Sequence, residues 1–508
     1  MPAKIITVAV IGLDCQKVEV EADTSAQNSA FIIVGLGDAA VQEAKERVRL
    51  AIKNSNALFP RPKLTVNLAP ADLKKTGPIF DLAMAVAILS TNKQIKLTEE
   101  DRQAIFVGEL SLDSNLRPVN GMIAIALFAK KNGFKKIYLP AENAFEASLI
   151  PDLTIMPVNN LIELIKHLKG KKLINKFISQ PFQKKENLDY KFDLAFIKGQ
   201  EQAKRALEIA AAGGHNLLLS GPPGAGKTLL ARTLPSILPP LTLDESLEVT
   251  KIYSVGGLLK KDEPLIWQRP FRSPHHSASL PSLVGGGSIP KPGEITLAHR
   301  GVLFLDEFPE FPRSLLDALR QPLEDRVITI ARVQSCLMFP ANFILVAAMN
   351  PCPCGYYNDP EKNCCCTPRQ IYHYQRRLSG PLLDRIDLYL EVPKVKYDKL
   401  ASLSMAENSA KVRKRVEQAR NIQLARFNQG NSLTLTNSEM TLEEIKKYCD
   451  LNSESQKLLK AAMLNLKLSA RAYHRLLKMS RTIADLEGSE NIKTKHLAEA
   501  LQYRAKNE

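Results

Sequence analysis

The chain has 508 residues, of which 45% are hydrophobic and 24% are charged. This composition excludes a disordered or fibrous protein, and the length suggests about three domains of roughly 100–200 residues each. The 69 basic and 53 acidic residues give a net charge of +16, which favours a polyanionic partner such as nucleic acid. The charge alone decides little, because many basic proteins carry only a solvated basic surface.

The hydropathy of the chain predicts its location. No uncharged apolar run reaches the ~18 residues of a transmembrane helix, and the first residues lack the apolar core of a signal peptide. We therefore expect a cytoplasmic protein without a membrane partner.

The first 170 residues predict one α+β domain. Short apolar runs at 31–35 and 64–68 are typical of strands, and helical periodicity covers 40–54 and 81–89. Residues 171–191 are rich in lysine and contain Pro181, which indicates a basic linker. A partly ordered surface crossing is the alternative.

The remainder predicts an α/β core followed by helices. Continuous apolar runs at 217–219, 302–305 and 343–347 are typical of buried parallel strands, so residues 192–395 are expected to form an α/β sandwich. Residues 396–508 are helical in pattern, with a capping box at 441–444 and Gly488 ending a later helix.

A phosphate-binding loop is the most specific motif of the chain. It follows the apolar run at 217–219, precedes a helical run, and matches G-x-x-x-x-G-K-[ST]. Its residues are Gly221, Pro222, Pro223, Gly224, Ala225, Gly226, Lys227 and Thr228. The glycines let backbone N–H groups surround a phosphate, Lys227 supplies a charge to the β and γ phosphates, and Thr228 is a Mg²⁺ ligand. ATP and Mg²⁺ are the expected cofactors.

Acidic and amide side chains follow the next two apolar runs. Asp306 is placed to hold Mg²⁺, and Glu307 to polarise the attacking water as a general base. Asn350 comes directly after the third run, where an amide can orient that water. Two acids after a strand are usually only a solvated strand end, and an Asn there is usually a turn residue. The upstream loop reverses both interpretations and predicts hydrolysis of the nucleotide.

Five cysteines lie within 15 residues and indicate a metal site. The favoured ligands are Cys352, Cys354, Cys364 and Cys366, which would hold a structural Zn²⁺. The C-x-C spacing is tighter than usual, so reduced loop cysteines without a metal remain the alternative. His275 and His276 have no assigned role.

Several longer segments resemble one family. The sequences at 271–276, 297–301, 349–355 and 380–387 resemble the ComM/YifB proteins, which are bacterial magnesium-chelatase-like AAA+ ATPases. The resemblance spans nearly the whole chain, including 65–72 and 469–472. It implies a homohexameric ring with a Lon-protease-like N-terminal domain, an AAA+ core and a helical C-terminal lid domain.

The resemblance also implies roles for individual residues. Arg385 corresponds to an arginine finger and Arg471 to the sensor-2 arginine, although both are otherwise ordinary surface or ion-pair arginines. A helix-2 insert maps to 283–293 and a pre-sensor-1 hairpin to 327–340. On these loops the candidate DNA contacts are Lys291, Arg332 and Gln334.

The first domain lacks the protease nucleophile. The segment 75–81 resembles the Lon catalytic sequence, but Ile79 stands where the serine would be. Because isoleucine has no nucleophilic oxygen, we expect a non-proteolytic scaffold.

The resemblance implies a helicase that promotes branch migration of single-stranded DNA during homologous recombination in natural transformation. Its partners would be single-stranded and branched DNA and recombination proteins. A chelatase motor and a protein-remodelling ring are the alternatives, and stimulation of ATP hydrolysis by DNA would separate them.

Overall fold

The computed structural model describes residues 2–26, 29–35, 39–178, 190–260, 263–287, 290–331, 336–395, 406–429, 434–465 and 468–504. The chain divides into two compact units. Unit 1 is Met1–Lys184, Ser246–Ile266 and Gly287–Pro292, and unit 2 is Lys185–Glu245, Trp267–Gly286 and Gly293–Glu508. The finer division at residues 170, 191 and 395 stays a prediction.

The first 170 residues combine a mixed sheet of parallel and antiparallel strands with helices. Their strands are β1 (Ala3–Ile11), β2 (Asp14–Ser25), β3 (Phe31–Val34), β4 (Lys63–Ala69), β5 (Ile105–Phe106), β6 (Glu109–Leu110), β7 (Leu116–Arg117), β8 (Lys136–Pro140) and β9 (Thr154–Val158). Their helices are α1 (Ala39–Asn54), α2 (Asp81–Thr91), α3 (Glu99–Arg102), α4 (Met122–Lys131), α5 (Ala144–Ala147) and α6 (Leu161–Leu168). Seven strands form one sheet in the order β3-β4-β2-β1-β5-β8-β9. The strands and helices predicted here are confirmed to within two residues.

The core of unit 1 follows from two sequence patterns. Alternate residues of β4 are buried, as expected for a strand with one face on the core. Helix α2 is buried continuously from Asp81 to Leu89, which explains its almost uninterrupted apolar sequence. Ile79 precedes this helix within the same core and is buried. The position of the Lon serine is therefore occupied by a core side chain.

Unit 1 also includes a segment from the middle of the chain, 246–266. The Gly121 N–H donates a 3.1 Å hydrogen bond to the Ser254 carbonyl. The Ser254 hydroxyl donates to the buried Glu146 carboxylate. The sequence did not predict that these residues belong to the first unit.

The elements after residue 200 alternate between strands and helices and end in helices. The strands are β10 (Leu217–Ser220), β11 (Phe271–Arg272), β12 (Gly285–Gly286), β13 (Lys291–Pro292), β14 (Val302–Leu305), β15 (Val327–Ala331), β16 (Cys336–Pro340), β17 (Ile344–Met349) and β18 (Leu388–Glu391). The helices up to β18 are α7 (Glu201–Gly213), α8 (Lys227–Ile237), α9 (Leu243–Gly256), α10 (Leu280–Val284), α11 (Glu294–Leu297), α12 (Arg313–Ala318), α13 (Arg320–Asp325), α14 (Pro368–Gln375) and α15 (Gly380–Leu383). The later helices are α16 (Ser409–Gln429), α17 (Leu442–Tyr448), α18 (Ser453–Asn465), α19 (Ala470–Leu486) and α20 (Thr494–Gln502).

Unit 2 is built on a parallel sheet in the order β11-β14-β17-β10-β18. Every residue of β10, β14 and β17 is buried, which explains why these strands read as continuous apolar runs. Because the strands are parallel, their carboxyl ends meet at one edge of the sheet. The phosphate loop, the acidic pair and Asn350 all follow strands at that edge.

The expected hairpin and helix ends are confirmed. Strands β15 and β16 pair antiparallel from Val327 opposite Pro340 to Ala331 opposite Cys336. Arg332 and Gln334 lie outside the described residues. Thr441 forms the predicted capping box with Glu444, and Gly488 has a φ of 66° just after α19. Among the described residues, no helix is both long and apolar enough to cross a membrane.

Candidate functional site

The phosphate loop forms a cradle between β10 and α8. Gly224 and Gly226 have φ values of 77° and 84°, which side chains with a Cβ rarely adopt. A Cβ on Gly221 would lie 2.2 Å from the Val392 carbonyl oxygen. The glycines are therefore required by the backbone path, and the loop N–H groups precede the N-terminus of a helix, where an anion is stabilised.

Lys227 lies at the floor of this cradle and is mostly buried. Its ammonium donates to the carbonyl oxygens of Gly221 at 2.6 Å and Pro222 at 3.0 Å, and to Asn350 Oδ1 at 3.1 Å. Burial lowers the pKa of Lys227, and the nearby Asp306 opposes that shift. An ammonium held by neutral oxygens in this way suits an anionic phosphate.

Thr228 and Asp306 provide a fitting pair of Mg²⁺ ligands. The Thr228 hydroxyl donates a 2.8 Å hydrogen bond to Asp306 Oδ2, although the residues are 78 positions apart. A hydroxyl and a carboxylate are the hard oxygen ligands that Mg²⁺ prefers. Together with the cradle, they fit a Mg²⁺-bound nucleotide phosphate.

Glu307 follows Asp306 in a left-handed backbone conformation with a φ of 52°. Its Oε2 lies 3.1 Å from Nδ1 of His276, a residue to which the sequence had given no role. His276 lies against His275, with ring centroids 4.0 Å apart. The adjacent histidines in the segment at 271–276 were the available signal, but only the folded chain brings one of them to Glu307.

The two arginines implied by the family resemblance share one carboxylate. Arg385 and Arg471 both donate to Glu324, Arg385 to Oε2 and Arg471 to Oε1 at 3.0 Å. Arg385 is mostly buried and also donates to the Pro381 carbonyl at 2.7 Å. Within the described residues, the hydrogen bonds of both guanidiniums go to these partners and not to the phosphate loop. No sequence pattern indicated a role for Glu324.

Four of the clustered cysteines converge. The sulfurs of Cys352, Cys354, Cys364 and Cys366 all lie within 4.8 Å of one another. Three of the separations are 3.3, 3.5 and 3.7 Å. Tetrahedral zinc with 2.3 Å bonds requires about 3.8 Å between sulfurs, so the set fits Zn²⁺. Cys365 is exposed and outside the set.

The cysteine loop also contacts the phosphate loop. Gly355 has a φ of 86°, and a Cβ there would lie 2.6 Å from Cδ of Pro223. Hydrogen bonds from the Tyr356 and Cys365 N–H groups help to lower the pKa of the Cys354 thiol to about 5, which favours the thiolate form that binds metals.

Of the candidate DNA contacts, Lys291 is exposed on β13.

The parallel sheet, the phosphate loop and the acidic pair together define a P-loop ATPase. Three family models match the chain: "Subunit ChlI of Mg-chelatase" over residues 20–143, "Magnesium chelatase, subunit ChlI" over 193–400, and its C-terminal model over 406–504. The chain belongs to the magnesium-chelatase-like AAA+ family.

Individual relatives cover almost the entire chain. The competence protein ComM of Haemophilus influenzae is 45% identical over 506 residues, which is 98% of this chain and 96% of ComM. YifB of Escherichia coli K12 is 44% identical over 506 residues, with the same coverage of both chains. The Lon protease of Rhizobium meliloti is 32% identical over 115 residues, or 22% of this chain and 14% of the protease. This similarity agrees with the predicted Lon-like N-terminal region.

Proposed function

We propose that the protein is an ATP-driven homohexameric DNA translocase that promotes branch migration of single-stranded DNA during homologous recombination in natural transformation. The observation that carries the proposal is the assembled P-loop site in a chain similar to ComM over nearly its full length. The net charge of +16 suits a polyanionic partner.

The residues of the site have complementary roles in ATP hydrolysis. The loop at 221–228 binds the phosphates, with Lys227 at the β and γ groups. Thr228 and Asp306 hold Mg²⁺, which neutralises the charge that develops on the transferred phosphoryl group. Glu307 accepts the proton of the attacking water, and Asn350 orients that water and Lys227.

The ring supplies the remaining groups. In this proposal Arg385 reaches the γ-phosphate bound by a neighbouring copy, and Arg471 acts as the sensor-2 arginine. Lys291, Arg332 and Gln334 contact the DNA backbone as the ring moves. The four cysteines bind a structural Zn²⁺ that supports the phosphate loop through Gly355. The protein works in the cytoplasm, with single-stranded and branched DNA and recombination proteins as partners.

The test compares ATP hydrolysis with and without single-stranded DNA. We expect strong stimulation in the unmodified protein and its loss in Lys227→Ala and Glu307→Gln. Branch migration of a three-strand substrate, with a non-hydrolysable ATP analogue as the control, then tests movement. Hydrolysis that is indifferent to DNA would contradict the translocase.

A chelatase motor is the second candidate, because the matching family models describe a magnesium-chelatase subunit. It predicts hydrolysis that responds to chelatase partner subunits and not to DNA. A ring that remodels proteins would likewise hydrolyse ATP without responding to DNA, so the same assay separates both alternatives from the translocase.

A further inference from the structure

A groove of about 750 Å³ lies on unit 1, and none of its lining residues is used in ATP hydrolysis. It is lined by the turn after α2, the first turn of α3, the start of β8, the end of α6 and the residues that follow α6. These are Lys93, Gln94, Ile95, Lys96, Thr98, Glu100, Asp101, Lys136, His167, Leu168, Lys169, Gly170, Lys171 and Leu173.

The lining of the groove is strongly basic. Lys93, Lys96, Lys169 and Lys171 are exposed, and none of them forms an ion pair with a carboxylate of the described residues. Glu100 is the exposed acid of the lining. The groove therefore presents an excess of positive charge that no ion pair within the described part of the chain neutralises.

The buried acid of the lining does not repel an anion. Asp101 Oδ1 accepts hydrogen bonds from Lys136 Nζ at 2.8 Å and from the Tyr138 hydroxyl at 2.7 Å, and Oδ2 accepts one from Thr98 Oγ1 at 2.6 Å. Burial opposes ionisation, but these three hydrogen bonds outweigh it and hold the pKa of Asp101 below its ordinary value. The negative charge of Asp101 is thus balanced by Lys136 at the floor of the groove.

The wall after α6 is fixed in place by a histidine. His167 Nδ1 accepts the Ile174 N–H at 3.0 Å, and His167 Nε2 lies 3.1 Å from the Tyr138 hydroxyl. A neutral His167 ring therefore carries its proton on Nε2, and this N–H donates a hydrogen bond to the Tyr138 hydroxyl oxygen. Between the anchored Ile174 and the lysines lies Leu173, which is 70% exposed.

We propose that this groove binds the phosphodiester backbone of single-stranded DNA. The inference rests on the proposed function and adds a contact surface outside the AAA+ core. The four unpaired lysines neutralise successive phosphates, while Leu173 offers an apolar surface to a sugar or base, which a free phosphate lacks. Such binding is independent of sequence and weakens steeply with salt.

The test uses the full-length protein and a matched pair of double variants. Lys93→Glu with Lys169→Glu reverses two groove lysines. Lys53→Glu with Lys74→Glu makes the same change in net charge on α1 and after β4, near the opposite edge of the sheet. Binding of fluorescent single-stranded oligonucleotide is measured between 50 and 300 mM salt, the range being chosen to give a slope, and basal ATP hydrolysis checks folding.

We expect the groove variant to bind about tenfold more weakly at low salt, and the control variant to bind within about twofold of the unmodified protein. The negative slope of log affinity against log salt should become shallower by about 1.4 in the groove variant. Each of the two lost phosphate contacts contributes about 0.7 to the steepness of that slope for a single strand. Both variants should keep basal hydrolysis.

Two results would overturn the inference while leaving the proposed function intact. One is equal binding by the groove and control variants. The other is a groove variant that loses binding to phosphatidylglycerol vesicles but binds single-stranded DNA as tightly as the unmodified protein does. If the unmodified protein does not bind single-stranded DNA at all, the translocase proposal fails as well.

Discussion

Lys227 donates a 3.1 Å hydrogen bond to the side-chain oxygen of Asn350, 123 positions further along the chain. This bond joins the phosphate loop to the end of β17, the strand that lies beside β10 in the sheet. The ammonium and the amide therefore face the same space. A change at either residue should affect the binding or the hydrolysis of the nucleotide, but in different ways.

Asn350→Ala should lower the rate of hydrolysis by about 10- to 100-fold while nucleotide binding persists, because a positioned polar group is lost and the cradle remains. Lys227→Ala should abolish binding itself. Steady-state hydrolysis and binding of a fluorescent ATP analogue separate the two effects. Loss of binding in Asn350→Ala would show that the amide is needed for the cradle and not for the water.

Glu307→Gln should lower kcat by about 100-fold or more, because the general base is lost while the shape of the side chain is kept. His276→Ala should cause a smaller, several-fold loss, since His276 only holds the Glu307 carboxylate from 3.1 Å away. The double variant should be no slower than Glu307→Gln alone. Additive losses would contradict an action of His276 through Glu307.

Glu324 should matter for hydrolysis although its hydrogen bonds within the described residues go to Arg385 and Arg471 and not to the phosphate loop. Glu324→Gln removes the charge that holds Arg385 and Arg471, so we expect a loss of kcat close to that of Arg385→Ala. Asp325→Asn, an exposed acid on the same helix, is the matched control. Unchanged hydrolysis in Glu324→Gln would rule out this positioning role.

Mixed rings test where Arg385 acts. Lys227→Ala subunits keep Arg385, and Arg385→Ala subunits keep an intact phosphate loop. If Arg385 acts on a neighbour's nucleotide, mixing the two should give more hydrolysis than either variant alone. No recovery would contradict an action between subunits.

The parts of the site that the sequence predicted are those set by local patterns. Continuous apolar runs identified β10, β14 and β17, and the residues after each run became site residues because parallel strands end at one edge. The glycine spacing of the loop required no tertiary information. The family resemblance added Arg385 and Arg471 but not their surroundings.

The parts that could not be predicted depend on contacts between distant segments. Nothing near Glu324 in sequence indicates that it binds two arginines, one 61 and the other 147 positions away. The pairing of His276 with Glu307 is of the same kind. The membership of 246–266 in unit 1 depends on Glu146 and Gly121, which no pattern in the later segment reveals.

The cysteine cluster predicts about one zinc per chain. Cys354→Ser and Cys364→Ser should each lose the metal and lower the melting temperature, because three thiolates hold zinc poorly. Cys365→Ser, the exposed neighbour, should keep the metal. Elemental analysis of the purified protein measures the content. Equal zinc in all three variants, or none in the unmodified protein, would favour reduced cysteines without a metal.

The buried carboxylate of Asp387 predicts how the stability of unit 2 depends on pH. Burial opposes its ionisation, but the Arg475 guanidinium at 2.8 Å, His215 and the Asn216 N–H at 2.9 Å outweigh burial and hold the pKa of Asp387 below its ordinary value. A lowered pKa in the folded state stabilises the fold above the unfolded value of about 4, and that stability is lost as the pH falls further.

Asp387→Asn should therefore lower the unfolding free energy at pH 7 by about 3–5 kcal/mol, because Arg475 is left without its buried partner. The gap between the melting temperatures of the variant and the unmodified protein should be constant from pH 7 to 5 and narrow below pH 4. Asp384→Asn, a partly exposed acid three residues earlier, is the control and should change little. A gap that stays constant down to pH 2 would show that Asp387 stabilises the fold by its shape and hydrogen bonds and not by its charge.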